Sequence, residues 1–118
     1  MLRTFLRALR EAFNREPPRE RGMRLLAANL TDSQRRRHEQ YRYFEVIGGS
    51  TGRRYRIRHG EAMNVDVLDE CGRRVHKLCF FPRGRLVTGD VMLAQKLALE
   101  AFEIEALAIA HKLPPHYG

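Results

Sequence analysis

Apolar residues recur along this chain with two different periods, and the changes of period divide it. Leu2, Phe5, Leu6, Leu9 and Phe13 fall at helical spacing, with Arg3, Arg7 and Arg10 off that stripe, so residues 1–15 predict an amphipathic helix. Pro17 and Pro18 interrupt the pattern and predict a polar linker over 16–21 that makes the first helix an appendage. Met23, Leu26 and Leu30 suggest a short second helix over 22–29. Thr31 and Gln34 then match a capping box that opens a third, TDSQRRRHEQYR.

From Tyr43 the period drops to two. Phe44 and Val46 alternate with polar neighbours, a glycine-rich loop (Gly48, Gly49, Ser50, Thr51, Gly52) turns the chain, and Arg53 to Arg58 returns. Met63, Val65 and Val67 define a third strand, and Arg73 to Phe81 a fourth. Every link is too short for a crossover, which predicts a four-stranded antiparallel meander. Val91 to Lys112 has neither Gly nor Pro and predicts one long helix, ended by Pro114 and Pro115. Its Leu93, Leu97, Ala101, Ile104 and Ala108 form a stripe expected to cover a sheet face built by Phe44, Val46, Tyr55, Ile57, Val65, Val67 and Val75. The fold class is therefore α+β: N-terminal helices, a four-stranded meander and a long C-terminal helix packed on one sheet face. Residues 22–113 form a single domain and 114–118 a tail.

Charge adds direction to this layout. The net charge is +8, divided as +6 over residues 1–42, +4 over 43–89 and −2 over 90–118. A field of that sign favours polyanions such as nucleic acid. Arginine outnumbers lysine 19 to 3, a skew that a GC-rich genome also produces by codon bias. Two cysteines are too few for a disulfide framework, and no leader or apolar run of membrane-spanning length is visible, so a cytoplasmic protein without integral membrane association is expected.

The candidate chemistry is that of binding. Arg54, Arg56 and Arg58 share one face of a strand, and Arg74 and His76 on its neighbour are expected beside them, with Tyr43 as a stacking ring. Arginine with an exposed aromatic on an open sheet holds single strands by phosphate pairing and base stacking. Arg35, Arg36 and Arg37 on the third helix add candidate phosphate contacts. The loop IGGSTGRR has the glycines of an anion cradle, with Arg53 and Arg54 as adjacent donors, but it leads into a strand and reads as a hairpin turn. Cys71, His76 and Cys79, even with His38 or His59, lack the spacing of a zinc site, so no metal and no cofactor are expected. No nucleophile, base pair or paired carboxylate argues for an enzyme. The expected function is a small basic binding protein that contacts nucleic acid or a nucleoprotein assembly. The alternative is an accessory subunit docking or self-associating through terminal helices, with Leu2, Phe5, Leu6, Leu9 and Phe13 as the partner-helix residues.

The segments RYFEVIGGSTGRRYRIRHGEAMNV, LCFFPRGRLVTGDVMLAQKLALE and LTDSQRRRHEQ resemble a group of small uncharacterised bacterial and phage proteins over about residues 23–110. The resemblance implies no activity, ligand or catalytic residue.

Overall fold

The structure, a computed structural model, describes residues 1–80, 84 and 86–114, and for residues 12–15 the helical backbone only. Three helices come first: α1 (Leu2–Arg15), α2 (Pro18–Ala28) and α3 (Asp32–Tyr41). Strands β1 (Tyr43–Ile47), β2 (Arg54–Arg58), β3 (Val65–Leu68) and β4 (Arg74–Cys79) follow, then α4 (Thr88–Ala101), α5 (Glu103–Ile109) and a short strand β5 (His111–Leu113). The sheet runs β1-β2-β3-β4-β5 with every pair antiparallel, so the expected meander is present with one added edge strand. The expected Phe81 end of the fourth strand and residues 115–118 of the tail lie outside the described residues.

Local chemistry sets the boundaries. Pro18 opens α2 at the first helical position, where a missing N–H costs nothing, so the linker is shorter than the sequence suggests and comprises Glu16 and Pro17. Thr31 and Gln34 close a reciprocal capping box at the start of α3. Arg42 then adopts a left-handed conformation (φ 64°, ψ 29°), ending α3 and starting β1 within one residue.

The inner sheet face carries the expected core: Phe44, Val46, Tyr55, Ile57, Val65 and Val67 are buried, and Val75 packs against them. α4 covers this face, packing on β1, β2 and α2. It does so not with the centre of the predicted stripe but with the margin expected to widen it, at Val91 and Ala98, together with Leu93. Val91, Met92, Gln95, Lys96 and Leu99 are buried, whereas Leu97, Ala101, Ile104 and Ala108 are exposed. Gln95 links the helix to the sheet through a reciprocal amide pair with Asn64 (2.8 and 2.9 Å) and a bond to the Phe80 carbonyl. The single long helix is also two, broken at Phe102 (φ −135°, ψ 43°).

Glu103 explains that break. It is fully buried, and its carboxylate accepts from Ser50 N (2.9 Å), Thr51 N (2.8 Å), the Thr51 hydroxyl and the Tyr55 hydroxyl (2.6 Å). The glycine loop is thus an anion cradle, and its anion is the chain's own carboxylate. Gly49 N also caps the Leu99 carbonyl (3.1 Å). A Cβ on Gly49 would lie 1.9 Å from the Glu100 carbonyl oxygen, and one on Gly48 2.2 Å from the Glu103 carboxylate, so both glycines allow close backbone approach.

Candidate nucleic-acid interface

On the outer sheet face, away from α4, the placement of side chains follows from the register. Tyr43 lies opposite Arg58, Glu45 opposite Arg56, and Arg56 opposite Asp66. A register irregularity between Val67 and Leu68 then shifts β4, so that Lys77, not His76, lies across from Asp66. His76 pairs with Val67 instead, and the expected grouping of His76 with the arginine face is corrected accordingly. Arg74 remains on that face, opposite Leu68.

Most of these cations are engaged. Arg54 holds Glu45 (2.7 and 3.0 Å), Arg58 grips both oxygens of the fully buried Asp66 (3.0 and 3.2 Å), and Arg74 reaches Asp66 at 3.5 Å. Lys77 is buried in the same cluster. Its pKa lies below the ordinary lysine value through burial, then through the charges of Arg58 and Arg74, with Asp66 opposing. Arg35 is structural as well: it ties the Ala27 and Leu30 carbonyls at the end of α2 and pairs with Asp32. Arg53 is exposed at the turn, but beside it a recess of about 610 Å³ mixes Arg53 and Arg54 with Asp69 and Glu70.

The edge where α3 meets β1 differs in character. Arg36 and Arg37 are exposed, and among the described residues neither enters an ion pair. They line a recess of about 600 Å³ with Ser33, Gln40, Tyr41 and Tyr43. The Tyr41 and Tyr43 rings are stacked at 5.8 Å and 22°, and the Arg56 guanidinium lies over the other partner of that stack, 4.8 Å from the Tyr43 centroid. Arg56 Nε is buried with no hydrogen-bond partner among the described residues. Tyr41, half exposed, was not among the residues expected from the sequence. Its signal lay in the spacing Tyr41–Arg42–Tyr43, which the left-handed Arg42 turns into a stacked pair.

Beneath this edge two histidines meet. His38 Nε2 lies 3.3 Å from His59 Nδ1 with the rings stacked at 5.5 Å, and His38 packs edge-on against Phe44. Burial, then the neighbouring His59 and Arg42, lowers the His38 pKa against a weaker pull from Glu39; burial and Arg42 lower that of His59. Both therefore take up protons at lower pH in the fold than in the unfolded chain, where they bind them below about pH 6.5. Stability is therefore expected to fall as pH drops through 6.5 and to level off below the folded-state values. Urea unfolding at pH 7.5, 6.5 and 5.5 checks this, with His59→Asn expected to flatten the dependence. A midpoint unmoved across that range contradicts it.

Among the described residues no three His, Cys, Asp or Glu side chains converge as metal ligands, and no helix is long and apolar enough to cross a membrane. No protein-family model, curated protein or solved structure matches this chain.

Proposed function

We propose that this protein is a non-enzymatic, cytoplasmic binding protein for single-stranded nucleic acid, alone or within a nucleoprotein assembly, and that its contact surface is the α3–β1 edge. The supporting observation is the stacked Tyr41–Tyr43–Arg56 ladder beside the unpaired Arg36 and Arg37. An exposed tyrosine accepts a base of any identity by stacking, and two free guanidiniums one turn away accept the backbone phosphates. Arg54, Arg58 and Arg74, held by Glu45 and Asp66, add positive potential without direct phosphate contact in this reading. A duplex offers no unstacked base faces and binds more weakly.

Fluorescence anisotropy with labelled single-stranded DNA and RNA tests this. Affinity is expected to fall steeply with salt, with a log–log slope of about −0.7 for each phosphate neutralised. Tyr41→Ala is expected to cost about 1–3 kcal/mol of binding free energy, the usual worth of one stacked base. Arg36→Glu with Arg37→Glu should abolish binding at moderate salt. Absence of binding at low salt, or an unchanged affinity in Tyr41→Ala, overturns the proposal.

A further inference from the structure

Two apolar surfaces have no partner among the described residues. One is α1, where every residue from Met1 to Glu11 is exposed, including Leu2, Phe5, Leu6 and Leu9 on the helical stripe. Phe13 belongs to that stripe by spacing, but its side chain lies outside the described residues. The other surface is on the C-terminal helices: Leu97 and Ala101 on α4, Phe102 at the break, and Ile104 and Ile109 on α5. All are exposed, Phe102 at 62% and Ile109 at 71%. Single exposed apolar residues are ordinary; two sets of them, each confined to one stretch of helix, mark contact surfaces.

Charge selects what covers them. Residues 2–15 of α1 carry a net +3 and residues 88–109 of α4 and α5 a net −3, and although Glu103 is buried and Glu100 pairs with Lys96, the exposed Glu105 leaves the face beside Ile104 acidic, whereas α2 and α3 are both positive. Two α1 helices laid side by side would oppose like charges, while α1 on α4–α5 joins opposite ones. The joint to α2 restrains α1 from folding back. Pro17 and Pro18 stiffen it, Glu16 is held by Arg24, and the molecule extends to 57 Å in one direction against 29 and 26 Å in the others.

We propose that α1 of one copy docks on the α4–α5 face of a second copy, and that the two copies exchange their helices reciprocally. The exchange closes under a two-fold axis and leaves no free stripe. Each seat is a helix laid apolar face down on a complementary surface. This self-association uses none of the residues of the α3–β1 edge.

Sedimentation equilibrium of the full chain, with two variants, tests the exchange. Leu6→Glu with Leu9→Glu spoils the donor helix, and Leu97→Glu with Ile104→Glu spoils the acceptor face. The expected result is a dimer for the unaltered chain, monomers for each variant alone, and, when the two variants are mixed, an association weaker than that of the unaltered chain but stronger than that of either variant, because one intact donor then meets one intact acceptor in one of the two seats. Circular dichroism confirms that each variant is folded, and Ile109→Ser serves as the acceptor variant if the double change is not. A monomeric unaltered chain overturns the proposal, whether or not it binds phosphatidylglycerol vesicles. An acceptor variant that still dimerises also overturns it, since α1 would then pair with itself.

Discussion

Glu103→Ala is expected to destabilise the fold by about 3 kcal/mol or more, the usual cost of breaking a buried charged cluster from one side. The carboxylate is fully buried and receives two backbone N–H groups and two hydroxyls, so its removal orphans four donors at once. Ser50 and Thr51 can recover water at the surface, but the buried Tyr55 hydroxyl cannot. Tyr55→Phe should cost less, about 1 kcal/mol, because it removes one donor and leaves the carboxylate three. The same site predicts acid sensitivity. Burial pushes the Glu103 pKa upward, but the bonds from Thr51, Tyr55 and Ser50 together outweigh it and hold the value below the ordinary carboxyl range. Those bonds favour the same ionised form against which burial acts, while burial and then the Glu103 carboxylate raise the Tyr55 pKa, against the opposing effects of Arg53 and Thr51. A depressed folded-state pKa means that stability is fully present above the unfolded value, about 4.3, and lost as pH falls through the folded one. Chemical denaturation of Glu103→Ala, Tyr55→Phe and the unaltered chain at pH 7 and pH 3.5 separates these effects. Equal stability of Glu103→Ala and the unaltered chain at pH 7 would rule out the latch.

Gly89→Ala should be comparably damaging, by about 3 kcal/mol, at the upper end of overpacking costs. A Cβ there would sit 2.3 Å from the carbonyl carbon and 2.4 Å from the carbonyl oxygen of Gly22, so neither side can yield by a rotamer change. α2 crosses α4 through this pair of glycines, and the crossing holds Leu26 against the core. The opposing position is more forgiving. A Cβ on Gly22 meets first the Val87 side chain at 2.6 Å, which can rotate, and Gly22→Ala is expected to cost less than Gly89→Ala. Thermal unfolding of the two variants orders them directly; the reverse order would contradict this packing.

Where the sequence reading succeeded, the physics was local or periodic. Alternation fixed the inner face from Phe44 to Val67, short turns fixed the meander, and the capping box fixed the start of α3. Where it failed, the deciding partners were distant in sequence. Almost every position from 91 to 110 is apolar or alanine, so two helical faces compete for the core, and the winning one carries Gln95 and Glu103, whose partners are Asn64 and the loop at Ser50 and Thr51. The break at Phe102 has the same origin, since no local signal demands it. At β4 one register irregularity inverted the alternation and replaced His76 by Lys77 opposite Asp66. The candidate interface was half legible. Tyr43, Arg36, Arg37 and Arg56 are read from spacing alone, but that Glu45 and Asp66 occupy Arg54, Arg58 and Arg74 follows only from the strand pairing.

These pairings move the account of the arginine-rich hairpin from its open sheet face to the tyrosine edge, and residue-resolved titration tests that shift most directly. Adding a short single-stranded oligonucleotide to ¹⁵N-labelled protein should move the amide resonances of Arg36, Arg37, Gln40, Tyr41, Arg42, Tyr43 and Arg56, and leave those of Arg53, Arg54 and Arg74 nearly in place. Movement centred on Arg53, Arg54 and Arg74 with Tyr41 and Tyr43 unmoved, or no movement at any residue, would contradict the proposed interface.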